Sequence, residues 1–473
     1  MKKSRKRLLP LMLVLVLSIA MLTACGGKTE DEDTDATPTP VDEVADDSNE
    51  DPEDEEEVVD LGGMDIVIGD WWSAQEPEAP KTALEEDTLA YRESIQEKYN
   101  FTMKQVAVTD WGGMQELFTT SVMADDPAAD LFLLGPDWTA QPLANGLLYD
   151  IATLDSFDFT ESKWNQSTLN LMTYGDSTYG MATGTPEPKL GLYWNKRLFE
   201  EAGLDPDLPY DLQASGEWTW ANFEELCKAL TRDVDSDGTN DSYAMVSFSP
   251  DLFRAALVSN NARFIGRDDA GNFYNATTEP QFLESMQWAV GLIEDGYEKP
   301  AEEGANWDWF IPAFHDAQVA MQFGEQYKVG QWADMTDDWG FVLPPKAKEE
   351  DPYSVYFSDN IVVMPATFDA EEAEKIAFAY DLWTDPTPGY EDEADSWKEN
   401  YYPNFRDARA VDETLALMYE PETRVVTEFQ PFVYGTDTGD DFIWNVYGLD
   451  STPAEKIEEL SSKWESLIND ANN

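Results

Sequence analysis

Short apolar strands alternate with helical stretches from Met64 onward, and this alternation limits the possible folds more than any other feature of the sequence. Helices are predicted toward Tyr99, around Phe118, and over residues 371–383 and 453–468. The predicted strands cover residues 65–69, 101–108, 130–135, 319–323 and 360–365. Strands that alternate with helices form parallel βα units, so the sequence predicts an α/β fold.

The length and the charge of the chain limit its organisation and its partners. The chain has 473 residues, and 42% of them are hydrophobic, so it can build substantial cores. Chains longer than about 250–300 residues usually divide into domains, and we therefore expect two lobes. The formal net charge of −66 argues against nucleic acid as a partner, because such binding needs basic patches. A solvated, repulsive surface accounts for the acid excess.

The N-terminus has the pattern of a signal peptide. A basic start at residues 2–7 leads into an apolar run over residues 8–22, which is short for a membrane span. The run ends Leu22-Thr23-Ala24-Cys25, which resembles the lipobox of bacterial lipoproteins. That resemblance implies cleavage after residue 24, a diacylglycerol on the Cys25 sulfur and acylation of the new amine, with palmitate among the expected chains. These lipids would anchor the protein to the outside of the cytoplasmic membrane. The alternative is an ordinary signal peptide with an incidental cysteine.

Residues 25–62 form a predicted acidic, disordered tether, with almost no apolar side chains. Cysteine and histidine are rare in the whole chain. Cys227 lies on the apolar face of a predicted helix, and His315 is the one histidine. The sequence therefore excludes a Ser–His–Asp or Cys–His catalytic set and a histidine-based zinc site.

Several segments resemble, in order, the maltose-binding-protein-like family of extracellular solute-binding proteins. The most specific segment is GLYWNKRLFEEAGL at residues 191–204, and WTWANF at residues 218–223 follows it. Weaker matches cover residues 130–151, 314–321, 340–345 and 372–377. Each match alone is weak, but the ordered set behind a lipobox is specific.

This resemblance implies a two-lobe periplasmic-binding-protein fold of type II, with the ligand in a cleft between lobes joined by crossing hinge segments. Residues 64–185 and about 348–405 would form lobe 1, and residues 186–347 and about 406–470 would form lobe 2. The implied function is that of a monomeric binding protein without enzymatic activity. It would capture a carbohydrate, with an oligosaccharide as the expected ligand, and deliver it to the permease of an ABC importer.

Candidate ligand-binding residues follow from the chemistry of sugars, which offer flat C–H faces and rims of hydroxyl groups. Such ligands need aromatic platforms with neighbouring carboxylates or amides, and strand-end loops are the expected place for both. The loops supply Trp71, Trp72, Trp111, Asp137, Trp138, Trp309 and Trp444. The resemblance adds Glu187, Glu325 and Tyr327 as a family carboxylate and an aromatic platform. The alternative for each tryptophan is packing, which we expect for Trp194, Trp288 and Trp339.

A second group of acids has the spacing of a calcium loop. Asp233, Asp235, Asp237 and Asp241 occupy positions 1, 3, 5 and 9, and the carbonyl of Thr239 occupies position 7. Position 12 is Ala244 rather than the glutamate of an EF-hand. The sequence favours a structural Ca²⁺ over the alternative of a hydrated acidic turn, because the clustered carboxylates would otherwise repel one another.

Two other functions stay open at this point. A secreted glycoside hydrolase needs only a suitably spaced pair of carboxylates, and 96 acidic residues leave room for one. A solute-binding protein for a non-sugar ligand, or a sensor partner without a transporter, would share the same fold.

Overall fold

The structure is a computed structural model. It describes residues 59–75, 79–184, 189–233, 236–238, 240–390, 396–427, 430–433 and 438–473. The predicted signal peptide, Cys25 and most of the predicted tether lie outside the described residues. The chain from Val59 onward belongs to one compact unit.

Strands and helices alternate as the sequence predicts. The strands are β1 Met64–Asp70, β2 Phe101–Ala107, β3 Leu131–Leu134, β4 Thr173–Tyr174, β5 Ser177–Thr178, β6 Leu190–Asn195, β7 Tyr243–Ser247, β8 Ile265–Arg267, β9 Phe273–Asn275, β10 Val319–Glu325, β11 Trp339–Val342, β12 Ser354–Tyr356, β13 Ile361–Val363 and β14 Arg424–Val426. The α-helices are α1 Ala83–Tyr99, α2 Met114–Met123, α3 Ala140–Ala144, α4 Gln166–Met172, α5 Lys196–Glu201, α6 Leu208–Ser215, α7 Trp220–Leu230, α8 Ser249–Ser259, α9 Pro280–Glu294, α10 Phe310–His315, α11 Ala370–Trp383, α12 Thr438–Tyr447 and α13 Pro453–Ala471.

Lobe 1 is built on the sheet β13-β3-β1-β2. Strands β2 and β3 pair with β1 in parallel, and β13 joins antiparallel to β3. One face of the sheet packs against α1 and α11 around Ile66, Met103 and Ile376. The other face packs against α2 around Phe118 and Phe132, whose rings lie 5.0 Å apart. Because successive strand residues point to opposite faces, each strand contributes to both cores.

Lobe 2 is built on the sheet β11-β6-β10-β7 and has the largest core of the molecule's described part. Strand β6 is antiparallel to both β10 and β11, and β7 is parallel to β10. All residues of β6 are buried, and Trp194 donates its indole N–H to the Pro206 carbonyl at 2.8 Å. Trp194 and Trp339 are buried, which confirms their expected packing role.

The crossing segments show which edges of the two sheets face each other. The chain leaves lobe 1 after Gly184 and enters lobe 2 at Leu190, which pairs with Glu325 at the end of β10. The carboxyl ends of β10 and of the parallel β7 therefore face lobe 1. The chain returns to lobe 1 at Ile361, which pairs with Leu134 at the end of β3. The carboxyl ends of β3 and β1 therefore face lobe 2.

These sheets, with helices on their faces, confirm the predicted two-lobe α/β fold. Three aromatic residues that the sequence assigned to lobe 1, Trp397, Tyr401 and Phe405, lie in or against the core of lobe 2. Cys227 is fully buried in α7, as its helical position predicts. None of the described helices is both long enough and apolar enough to cross a membrane.

Candidate functional site

Four tryptophans gather at the carboxyl ends of β1, β2 and β3, and we call them the tryptophan cluster: Trp71, Trp72, Trp111 and Trp138. The Trp71 ring lies 4.7 Å from Trp72 and 5.2 Å from Trp138, and Trp138 lies 5.4 Å from Trp111. Trp138 is 9% exposed, whereas Trp72 and Trp111 are 50% and 62% exposed. The inner rings thus support two exposed aromatic faces on the edge of lobe 1 that faces lobe 2.

A buried carboxylate positions the first two members of this cluster. Asp70 is fully buried at the end of β1, and its Oδ1 accepts the backbone N–H groups of Trp72 at 3.1 Å and Ser73 at 2.9 Å. Its Oδ2 accepts Gln105 Nε2 of the neighbouring strand at 2.7 Å. A buried carboxylate is stable only when its oxygens are hydrogen-bonded, so the loop after β1 is held in one conformation.

The other two tryptophans begin or end short 3-10 helices. Asp110 precedes Trp111 and accepts the backbone N–H of Gly113 at 2.9 Å. Pro136 starts the turn that carries Asp137 and Trp138, and Asp137 is exposed beside the cluster. The structure therefore brings together all five lobe 1 residues that the sequence predicts for the ligand site.

A second aromatic group lies at the carboxyl end of β7 in lobe 2, and we call it the Phe248 cluster: Phe248, Trp307, Phe310 and Trp444. The Phe248 ring lies 5.7 Å from Phe310 and 5.6 Å from Trp444, and Trp307 lies 6.5 Å from Phe310. Trp307 is 76% exposed and Trp444 is 44% exposed. Trp309 is half-buried against the lobe 2 core, with Lys299 Nζ 5.6 Å above its ring. Phe248 itself was missed from the sequence, although it directly follows a predictable β-rich run.

Tyr327 stands beside this group, just after the end of β10. Its ring is 57% exposed, and its hydroxyl donates to the Glu325 carboxylate. Desolvation of the hydroxyl group and the charge of the nearby Glu325 raise the pKa of Tyr327, so the phenol stays protonated and donates. Lys328 Nζ lies 2.8 Å from Glu325 and 3.9 Å from the buried Asp251. Glu325 and Asp251 are thus both paired with Lys328, close to the exposed ring of Tyr327.

Lys189, on the first crossing segment, joins this network to the hinge. Its Nζ lies 5.7 Å above the Tyr327 ring and 3.8 Å from Asp359 on the return crossing. Asp359 also accepts Asn165 Nδ2 of lobe 1 at 3.4 Å. A cation over an aromatic face is attracted by the ring quadrupole. Lys189 thus connects the two crossing segments and also contacts Tyr327, a predicted ligand residue.

Glu298 is a buried carboxyl group behind the Phe248 cluster. Its Oε1 accepts the hydroxyl of Ser247 at 2.7 Å and the Ser247 N–H at 3.2 Å. The carboxyl group also forms a hydrogen bond with the side chain of Tyr447. Burial outweighs these hydrogen bonds and raises the pKa of Glu298 to about 7. The group joins the end of β7 to α12, the helix that carries Trp444.

Some predicted residues are not brought into either cluster. Glu187 lies outside the described residues, as do Asp235 and Thr239 of the predicted calcium loop. In the described part of that loop, Asp233 accepts the backbone N–H groups of Asp237 at 3.2 Å and Gly238 at 2.9 Å. No group of three or more metal-binding side chains occurs among the described residues. The calcium site therefore stays a prediction.

A family model described as bacterial extracellular solute-binding protein matches residues 90–414. No curated protein matches the sequence.

Solved structures resemble most of the chain. A cyclic alpha-maltosyl-1,6-maltose binding protein from Arthrobacter globiformis has a TM-score of 0.61 at 16% identity, covering 86% of this chain and 100% of its own. An ABC substrate-binding protein from Listeria monocytogenes in complex with cycloalternan has a TM-score of 0.55 at 17% identity, covering 86% and 99%. UgpB from Mycobacterium tuberculosis, in complex with glycerophosphocholine, has a TM-score of 0.58 at 15% identity, covering 86% and 99%. These similarities show the fold.

Proposed function

Because the chain belongs to the bacterial extracellular solute-binding protein family, we propose that it is the carbohydrate-binding component of an ABC importer. It captures an oligosaccharide between its two lobes, carries out no chemistry on it, and delivers it to a membrane permease. Two of the similar structures were solved for proteins that bind cyclic saccharides, which supports a saccharide as the ligand class.

The observation that carries this proposal is the pair of exposed faces at the two ends of the tryptophan cluster. Trp72 and Trp111 do not contact each other directly, because Trp71 and Trp138 lie between them in the chain of ring contacts. A ligand that covers both faces needs at least two rings with apolar faces. Such a ligand is an oligosaccharide rather than a monosaccharide.

Lobe 2 supplies the matching surface. Within the described residues, no ring contact joins the tryptophan cluster to the Phe248 cluster, although both lie on edges that face the opposite lobe. Closure around a sugar would bring aromatic faces and paired carboxylates to both sides of the ligand. The Lys189 contacts with Asp359 and Tyr327 connect that movement to the hinge.

The proposed location is the extracellular face of the cytoplasmic membrane, with Cys25 acylated and the acidic tether linking it to the lobes. A lipid anchor would keep the binding protein near its permease. Cys25→Ala is expected to move the protein from the membrane fraction to the medium or the soluble fraction. An unchanged distribution of the variant would contradict the anchor.

The ligand proposal is tested by titrating the protein with saccharides while intrinsic tryptophan fluorescence and calorimetric heat are recorded. The panel is glucose, maltose, maltotetraose, mannotriose, cycloalternan and glycerophosphocholine. We expect saturable binding of at least one oligosaccharide, tighter than that of glucose. Trp72→Ala and Trp111→Ala each remove one ring face, which weakens binding by about 1.4 kcal/mol, or about tenfold.

Tyr402→Ala is the matched control, because Tyr402 is 42% exposed and belongs to neither cluster. It should leave the affinity unchanged. If glycerophosphocholine alone bound, the proposal of a saccharide ligand would be wrong and the ligand would be a non-sugar compound. If reducing ends were released during the titration, the protein would be a glycoside hydrolase rather than a binding protein.

A further inference from the structure

A second cavity lies where the two lobes meet beside the hinge, apart from the aromatic clusters described above. Its volume is about 450 Å³, and no member of the tryptophan cluster or the Phe248 cluster lines it. It opens on the α1 and α11 face of the lobe 1 sheet, because Ile68 and Leu133 line it, whereas the tryptophan cluster belongs to the opposite face. Both crossing segments contribute to its wall through Lys189 and Asp359.

Arg92 of α1 is the unusual group in this cavity. Its guanidinium lies 4.1 Å above the Trp383 ring of α11, which holds it in place by cation–π attraction. Among the described residues no carboxylate forms an ion pair with Arg92, and its buried Nε has no hydrogen-bond partner. Burial lowers the pKa of Arg92, but a guanidinium stays charged at neutral pH. Although the chain has 96 acidic residues and 30 lysine and arginine residues, no carboxylate of the described residues pairs with this half-buried cation.

The charge balance of the cavity favours an anionic ligand. Its other charged lining residues, Lys189 and Asp359, lie 3.8 Å apart and compensate each other. The positive charge of Arg92 is left over. A planar guanidinium matches a carboxylate in a bidentate geometry, and one such group balances one negative charge.

The lobe 2 side of the cavity adds the surfaces that a ring compound needs. The Trp397 ring stacks on Tyr419 at 4.4 Å and lies 5.8 Å from Tyr401, and all three line the cavity. Asn360 and Asn400 add amide groups to the lining. Aromatic walls with a few polar groups are typical of small-molecule sites, and the volume accommodates a ligand of one or two sugar rings.

We propose that this cavity is a second ligand site that binds a monoanionic sugar acid, with the carboxylate of the ligand paired to Arg92 and its ring against the aromatic wall. None of the tryptophans proposed to contact the oligosaccharide lines this cavity, although Lys189 is shared with the network beside Tyr327, and the proposal does not depend on the identity of that oligosaccharide. Because residues of both lobes line the cavity, its occupant contacts both lobes next to the hinge.

The test is calorimetric titration of the folded protein with glucuronate and galacturonate, with glucose and inorganic phosphate as comparison ligands. We expect saturable binding of at least one uronate and none of glucose or phosphate. Arg92→Gln should weaken uronate binding at least about tenfold, since it removes a charge-assisted bidentate pair, and Arg92→Lys should retain part of the affinity. Trp72→Ala, outside the cavity, should leave uronate binding unchanged.

The absence of saturable heat with both uronates would overturn the proposal. Equal uronate affinity in Arg92→Gln would also overturn it, because the ligand would then bind elsewhere. Loss of uronate binding in Trp72→Ala would assign the anion to the oligosaccharide site instead. Binding of phosphate but not uronate would refute the sugar-acid class. Should Arg92→Gln fail to fold, Trp397→Ala on the opposite wall tests the same cavity with the same expected loss.

Discussion

Glu298→Gln should change how the stability of the protein depends on pH. The carboxyl group is 7% exposed and bonded to Ser247 and Tyr447, and its burial raises its pKa from 4.5 to about 7. The unfolded chain releases this proton near pH 4.5, whereas the folded chain holds it until near pH 7. The unfolded state therefore binds fewer protons over that range, and the Glu298 contribution to stability falls as pH rises.

The size of the effect follows from the difference between the two pKa values. Each unit corresponds to 1.36 kcal/mol, so the wild-type protein loses about 3 kcal/mol of unfolding free energy through Glu298 between pH 4.5 and pH 7. The glutamine variant keeps a neutral group of the same shape and loses nothing there. Its stability relative to wild type should therefore rise by about 3 kcal/mol across the same interval and stay level above pH 7.

The assay is urea unfolding at several pH values between 4.5 and 8, with Glu303→Gln as the control. Glu303 is exposed, so its substitution should shift the free energy of unfolding by a similar small amount at every pH. A constant difference between Glu298→Gln and wild type over the whole range would refute the reasoning, because it would mean that Glu298 titrates alike in both states. The same ionisation should weaken ligand binding above pH 7, since Glu298 supports the helix that carries Trp444.

Two further predictions concern packing and metal binding. Gly340→Ala should lower the free energy of unfolding by about 1–3 kcal/mol in urea, because a Cβ at this position would lie 2.2 Å from the Trp194 ring. Gly330→Ala is the control and should have little effect, since a Cβ there meets open space. Equal effects of the two substitutions would contradict this account. Calcium added to chelator-treated protein should give binding heat and a higher melting temperature, and Asp237→Asn should abolish both. The absence of heat and of a melting-temperature shift in the wild-type protein would refute the predicted calcium site.

The lobe 1 half of the candidate site could be predicted from sequence because it depends on local order along the chain. Trp71 and Trp72 directly follow the apolar strand β1, and Trp138 lies in the turn after β3. Parallel strands bring such loops to one edge of the sheet. The strand bounds are similarly local, since an apolar run ended by Gly135-Pro136 is a strong signal. The position of Trp111 could be predicted for the same reason, because it begins the turn after β2.

Features that depend on distant pairing could not be predicted in this way. Lys189 contacts Asp359 and Tyr327, which lie more than a hundred residues away along the chain, and the sequence carries no local sign of either contact. The stacking of Arg92 on Trp383 joins the first and the eleventh helix in the same way. Phe248 could not be predicted for a different reason. A phenylalanine at the end of a strand carries no local sign that separates packing from a place in an aromatic cluster.

Other cations near the facing edges of the lobes are paired with carboxylates. This makes the lack of a carboxylate beside Arg92, among the described residues, significant. Lys189, Arg254 and Lys328 are mostly buried near the facing edges of the lobes, and each lies within 4 Å of a carboxylate. An acid excess makes such pairing easy, and a half-buried cation without a carboxylate loses part of its hydration unless something else compensates its charge. The ring of Trp383 compensates the charge of Arg92 in part, but the buried Nε has no hydrogen-bond partner. A ligand carboxylate would accept from this N–H, and the neighbouring cavity has room for the ring to which that carboxylate is attached.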